Sequence, residues 1–322
     1  MIIDIDNTRR NTFTTCPRKY YWRWEQFLTS SWGSTALRYG SVIHKGLETY
    51  YESFLPSKRS DAETIALLGK VGEAMTKEWE DITFSGEGEQ QKKFYSDHRT
   101  LQTALQCITE YIMHYEAEWS YLNLLSVEQS FTIPLPLSRA YTVWPVEICD
   151  KVREVNFIGR IDGIIDMGGL YVLEHKTTSL PVEKAIDTLY RTAQMIGYTY
   201  ALRYLNPEST VIGCMANIIQ MPALRAKKDG TYGNPSFNFV RSPQVYTQQH
   251  LDTWLDSMLM RAGQIALCRS TNNFPMEYDG CYTYNSPCPY TSLCASQEQD
   301  VTKVNTAHFI TDYWDPRNED KK

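Results

Sequence analysis

No stretch of this 322-residue chain strings together the roughly 18 apolar residues that a membrane-spanning helix needs. Internal repeats and low-complexity segments are also missing. Positive charge is in short supply: 32 Lys and Arg stand against 38 Asp and Glu, a net charge of −6 with His neutral. A protein that merely coats nucleic acid is usually basic, so any such contact is confined to a local basic groove. The opening Met1-Ile2-Ile3-Asp4-Ile5-Asp6 has neither the basic region nor the long apolar core of a secretion signal, which leads us to expect a cytoplasmic protein. In that reducing compartment the eight cysteines are expected to ligate metal or to be buried, not to form disulfides. With 42% apolar and 22% charged residues, the chain can build a large core, which excludes wholesale disorder.

What is present is a succession of periodic segments. Residues 7–28 read as a helix rich in aromatic and basic residues, with Gly40 to Phe54 a second helix on the spacing of Ile43, Leu47, Tyr50, Tyr51 and Phe54. Residues 61–82 and 97–122 carry further helical patterns around the polar loop Ser85-Gly86-Glu87-Gly88-Glu89. Alternation then takes over: Ser126 to Leu135, Ala140 to Ile148, Asn156 to Asp166 and Leu170 to Thr177 read as strands, with Met167-Gly168-Gly169 as a turn. Val182 to Leu205 reads as a helix, Thr210 to Gln220 as a buried strand, Phe237 to Val240 as a short strand, and His250 to Cys268 as a helix. This order predicts an α/β fold around a central mixed sheet flanked by helices. It implies one domain, with a helical insertion at about 55–124, a core at about 125–270 and a polar tail at about 297–322.

Glu174 and Lys176 stand two apart on a predicted strand and so share a face, while His175 points to the other. Asp162 lies on the preceding strand. Two carboxylates can hold Mg²⁺ or Mn²⁺, and a lysine beside them can orient water or bind a phosphate oxygen, which is the equipment for phosphodiester hydrolysis. Register presents an obstacle. A plain two-residue Gly168-Gly169 turn would set Asp162 against His175 and put the acids on opposite faces. A shared site therefore requires a bulge or an odd-length loop between them.

At the two ends of the chain, Cys16 in Thr15-Cys16-Pro17-Arg18-Lys19-Tyr20-Tyr21 and the series Cys281-x6-Cys288-x5-Cys294 supply four thiols. Four thiolates hold either a cubane iron–sulfur cluster or a tetrahedral Zn²⁺, and their chemistry alone does not separate the two. Cys107, Cys149, Cys214 and Cys268 fit apolar patterns and read as buried small hydrophobes. Arg9, Arg10, Arg18, Lys19 and Arg23, interleaved with Tyr20, Tyr21, Trp22 and Trp24, form either a phosphate-binding and base-stacking surface or a packed aromatic face with solvated charges. Arg225, Lys227 and Lys228 are a second basic group, in a loop.

Taken in order, Cys-Pro-Arg-Lys-Tyr-Tyr from Cys16, Gly40-Ser41-Val42-Ile43-His44, Gly159-Arg160-Ile161-Asp162 with Glu174-His175-Lys176, and Gln194-x3-Tyr198 resemble the PD-(D/E)xK nuclease superfamily. The nearest likeness is the RecB/AddB-type nuclease domain and its iron–sulfur relatives, including CRISPR-associated adaptation exonucleases and phage-encoded versions. The resemblance implies a restriction-endonuclease-like core with an N-terminal helical region and a C-terminal cysteine loop. It implies a metal held by His44, Asp162, Glu174 and the backbone carbonyl of His175. Lys176 would assist water activation, Gln194 and Tyr198 would position that lysine or the DNA backbone, and Cys16, Cys281, Cys288 and Cys294 would hold an iron–sulfur cluster of 4Fe–4S type. Glu128 matches an acid of the family's first core strand, a surface acid being the other reading. The wide gap between Cys281 and Cys288 and the Glu at position 174, where many relatives carry Asp, depart from the commonest pattern. The implied activity is a Mg²⁺- or Mn²⁺-dependent DNA exonuclease in recombination, repair or phage DNA processing in a bacterial cytoplasm, with Mn²⁺ favoured by the histidine. A structure-specific endonuclease and a non-catalytic DNA-binding adaptor are the rival readings.

Overall fold

The computed structural model describes residues 1–30, 35–81, 98–142, 144–221, 224, 226–230, 232–283 and 286–318. The polar loop at 85–89 and Arg225 lie outside them. In chain order the principal elements are β1 (Ile2–Ile5), α1 (Asn7–Thr15), β2 (Leu28–Ser30), α2 (Thr35–Glu52), α3 (Asp61–Asp81), α4 (Leu101–His114), β3 (Asn123–Pro134), β4 (Glu154–Asp166), β5 (Leu170–Thr178), α5 (Val182–Tyr190), α6 (Ala193–Leu205), β6 (Val211–Gln220), β7 (Asn238–Val245), α7 (Gln248–Thr271) and β8 (Phe309–Thr311). The central sheet runs β1-β4-β5-β6-β7, with β3 beside β4. It is mixed: β1–β4 and β5–β6 are parallel, whereas β4–β5 and β6–β7 are antiparallel. Helices flank it, so the α/β architecture expected from the segment order is the one found. The chain divides into two compact units, one of residues 1–32, 130–160 and 248–322, the other of residues 33–129 and 161–247.

In the first unit, the stretch 7–28 is not one helix. α1 starts on the Asp6 side chain, which accepts a hydrogen bond from the Arg9 amide at 2.8 Å, and it ends at Thr15. Cys16 is forced into extended backbone (φ −167°) by Pro17, whose ring disfavours a helical residue before it. A four-residue helix Pro17–Tyr20 and a wider turn Tyr21–Glu25 follow. The expected strand Ala140 to Ile148 is likewise replaced by two helical turns, Leu137–Ala140 and Val146–Cys149. Trp144 between them is buried and donates its indole N–H to the Leu259 carbonyl at 2.8 Å, an anchor that periodicity cannot reveal. The last residues are more than a polar tail. β8 pairs antiparallel with β2, and Arg317 bridges Asp4 at 2.9 Å. β1, a four-residue strand not recognised in the sequence, lies parallel to the start of β4.

In the second unit, α2, α3 and α4 pack on one face of the sheet around Ile43, Leu47, Val71, Met75, Ile108, Leu173 and Ile219. The stretch Val182 to Leu205 is two helices, because Thr192 adopts extended backbone and caps α6 through the Met195 amide. β7 tolerates Pro243 because it is the edge strand, where one side of the backbone needs no partner. The β4–β5 hairpin resolves the register problem. Asp166 pairs with Leu170 around the three-residue loop Met167-Gly168-Gly169, so Gly163 meets Leu173 and the next pair in line is Asp162 with Glu174. Both glycines are left-handed or beyond, at φ +80° for Gly168 and +157° for Gly169.

These loop glycines are expected to differ in what they tolerate. A Cβ at Gly169 would lie 2.7 Å from Ile212 Cγ1 and 3.2 Å from the Thr210 carbonyl, whereas one at Gly168 would meet nothing within 4 Å. Urea denaturation should show Gly168→Ala costing about 1 kcal/mol for its backbone alone. Gly169→Ala should cost more, about 2–3 kcal/mol.

Candidate active site

β4 and β5 part company after Gly163 and Leu173, the last paired residues on that side of the hairpin. Beyond this point the His175 amide has no β4 carbonyl to meet. The Asp162 carboxylate takes that place, accepting from the His175 N–H at 2.8 Å. Its Oδ2 also lies 3.8 Å from Nδ1 of His44, presented by α2. The splayed strands thus bring together one imidazole, one carboxylate and the middle of the Glu174-His175-Lys176 segment.

Glu174, whose side chain leaves β5 on the face opposite to that of His175, is 1% exposed. Its Oε1 accepts from Lys176 Nζ at 2.6 Å and from Gln194 Nε2 at 2.8 Å, Gln194 standing in the first turn of α6. Its Oε2 is buried without a hydrogen-bond partner among the described residues. A carboxylate oxygen buried and unpaired costs free energy unless a cation or proton is supplied. Tyr198 follows Gln194 on α6 and is buried. Glu128, on β3, is close enough to press electrostatically on Glu174. Its backbone is left-handed at φ +49°, an unusual state for a side chain of this size and one found where a residue is being re-aimed.

Electrostatics divides the two acids. Burial would raise the Asp162 carboxyl, but His44, His175 and Lys176, helped by the His175 amide, outweigh it and hold the group below the usual range. Burial, and then the Asp162 charge, push Glu174 up to about 8 despite Lys176. Burial drives His175 down to about 3, leaving it neutral at working pH. Burial alone would lower Lys176, but Glu174 and Asp162 prevail and keep it firmly protonated.

Of the residues singled out in the sequence, His44 joins Asp162, and Lys176 and Gln194 join Glu174. Among the described residues no group of three or more His, Cys, Asp or Glu side chains is arranged to hold a metal ion. The donor chemistry nevertheless fits a divalent ion: two carboxylates repel each other, and one carries a buried oxygen with nothing to neutralise it.

The four terminal cysteines all belong to the first unit. Cys16 is buried, and its Sγ accepts from the Glu277 amide at 3.4 Å. A Cβ on Gly280 would come within 2.8 Å of the Thr15 carbonyl and 3.6 Å of the Cys16 Cβ, so the loop before Cys281 lies directly on the Cys16 turn. Cys288 and Cys294 are raised first by burial, with Cys16 among the neighbouring thiols that add to it. Nearby, the expected nucleic-acid surface is mostly interior. Arg18 is buried and gives its guanidinium to the Phe274 and Glu298 carbonyls at 2.7 and 3.1 Å. Arg23 is held by Asp312 at 2.7 Å and lies 4.3 Å over the Trp24 ring. Tyr20, Tyr21, Trp22 and Trp24 are core residues, and Lys19 is half-buried. The packed-aromatic reading is therefore the one the structure adopts for this stretch.

Sequence reasoning did not identify Asn217, Arg241, Glu118 or Tyr51, which surround His175 on the α2 face. Asn217 Nδ2 lies 2.7 Å from His175 Nδ1, and Tyr51 stacks on the ring at 5.3 Å and 14°. An Arg in an apolar strand was the available signal.

The sequence model described as the PD-(D/E)XK nuclease superfamily matches residues 7–295. No curated protein matches the chain.

A raised carboxyl has a signed consequence. With a folded value of about 8 against 4.5 unfolded, the Glu174 contribution to stability is complete below pH 4.5 and lost as pH rises through 8. In EDTA, the thermal midpoint should fall across that window, and Glu174→Gln should flatten the fall. Calorimetric titration with Mn²⁺ in buffers of different ionisation enthalpy should detect proton release on binding, diminishing above pH 8.

Proposed function

The chain belongs to the PD-(D/E)XK nuclease superfamily, and on that premise we propose that it is a Mg²⁺- or Mn²⁺-dependent DNA exonuclease. The observation that carries this reading is the meeting of Asp162 with His44 and of Glu174 with Lys176 and Gln194 where β4 and β5 separate. His44, Asp162, Glu174 and the His175 carbonyl would hold the ion. When bound, a divalent ion supplies a water of lowered pKa and positive charge for the transition state. The chain's own side chains do the rest. Gln194 and Lys176 both occupy Oε1 of Glu174, which leaves Oε2 as the oxygen to be neutralised. Lys176 is 27% exposed, so its ammonium can also donate to a phosphate oxygen arriving from solvent. Tyr198 lines the same helix and would steady the lysine or the DNA backbone. Glu128 would contribute a further acid beside Glu174.

The exonuclease assignment and the iron–sulfur cluster come from the resemblance of the ordered motifs to RecB/AddB-type domains. Support for the cluster is the packing of the Gly280 loop on Cys16 and the electrostatic influence of Cys16 on Cys288 and Cys294. As a cluster, Cys16, Cys281, Cys288 and Cys294 would tie the N-terminal turn to the C-terminal loop, with Zn²⁺ the other occupant that four thiolates suit.

Purified protein with Mn²⁺ should degrade end-labelled linear single-stranded DNA, and Lys176→Ala should slow it about 10²–10³-fold. Digestion of circular strands would instead identify an endonuclease, and DNA binding without cleavage would identify an adaptor. Anaerobically prepared protein should show visible iron–sulfur absorbance, and Cys16→Ser should remove it and lower the thermal midpoint. Unchanged metal content and stability in Cys16→Ser would remove the cluster from the account.

A further inference from the structure

His175, Asn217 and Arg241 form a straight row across three strands. Asn217 is the register partner of His175 on the parallel side and of Arg241 on the antiparallel side. Register partners share a face, and here it is the face covered by α2 and α4. The row is buried: His175 is 3% exposed, Asn217 is 0%, and the Arg241 side chain is 13%. Arg241 is in turn fixed by four groups. It pairs with buried Glu118, donates to Tyr51 Oη at 2.7 Å and to Tyr111 Oη at 3.1 Å, and lies 4.1 Å over the Tyr115 ring.

Donor and acceptor roles in this row are dictated from one end. A guanidinium can only donate. The Asn217 amide must therefore turn its oxygen toward Arg241, whose Nε lies 3.5 Å away, and its NH₂ toward His175. The His175 Nδ1 at 2.7 Å must then accept, which puts the ring proton on Nε2. The same ring stacks on Tyr51 and meets the His44 ring edge-on, with centroids 6.0 Å apart at 80°. We infer that Asn217 is a positioning residue: it holds His175 as the Nε2–H tautomer in a fixed place, and that ring sets where His44 stands relative to Asp162. This rests on the reading of His44 and Asp162 as metal ligands. Partners one step beyond a ligand typically govern metal affinity by 10–100-fold. Glu118 and Arg241 extend the arrangement, so the α4 side of the unit takes part in orienting a group it does not touch.

The test uses the whole 322-residue chain. ¹⁵N NMR of the histidine rings in EDTA reads the tautomer directly, with His175 assigned by its loss in His175→Gln. Wild type should show unprotonated Nδ1. N217D keeps the shape but presents only acceptors to both neighbours, so it should place a proton on Nδ1 and weaken Mn²⁺ binding, followed by EPR, roughly 10-fold. N217S, which retains a donor, should recover a good part of that affinity and serves equally should N217D not fold. An Nδ1–H ring in wild type overturns the inference. So does Mn²⁺ affinity within twofold of wild type in N217D or a lowered thermal midpoint with unchanged affinity in both variants. Failure of wild type to bind Mn²⁺ would instead defeat the metal reading of His44 and Asp162, a result the NMR measurement does not share.

Discussion

Where two antiparallel strands separate, each leaves behind backbone groups that still demand partners. In this protein the demand at His175 is met by the Asp162 carboxylate, 2.8 Å from the amide. That bond holds an acid against the strand carrying Glu174 and Lys176, in a place where its charge is felt by His44, His175 and Lys176. Move the hairpin register by one residue and the carboxylate would point into the opposite layer. The odd-length loop Met167-Gly168-Gly169 and the splay after Gly163 are therefore prerequisites for any chemistry at this position.

The two carboxylates then diverge in character. Asp162 sits among three nitrogen-bearing groups and stays ionised, whereas Glu174 is buried, half-satisfied and pressed by neighbouring negative charge. The protein tolerates this unfavourable arrangement because the fold supplies stability elsewhere, notably in the apolar layer of α2, α3 and α4 on the sheet. A site that is electrostatically incomplete by itself is one poised to take up a cation. The superfamily to which the chain belongs gives that property its functional direction.

Much of this was legible in the linear sequence, for identifiable reasons. Glu174 and Lys176 announce a shared face by their spacing, and the need for an irregular loop before them followed from counting residues between Asp162 and Glu174. The long helix Asp61–Asp81 was readable because apolar positions repeat over several turns. The failures are equally physical. Ala140 to Ile148 alternates like a strand, but Pro145 and the anchoring of Trp144 curl it into turns. Arg18 and Arg23 resemble a phosphate-binding stripe until the distant carbonyl of Phe274 and carboxylate of Asp312 claim them. Asn217 and Arg241 acquire meaning only when three strands are in register, which no local pattern encodes.

The first unit is stitched from three separate stretches, residues 1–32, 130–160 and 248–322. A ribosome making this chain therefore delivers Trp24 long before its eventual neighbour Trp314, and β2 long before its partner β8, exists. The other unit has all its residues by position 247 and can condense first. Until the segment from residue 248 onward is made, that early indole is waiting apolar surface of the kind that chaperones bind, and completion of the first unit depends on that late segment.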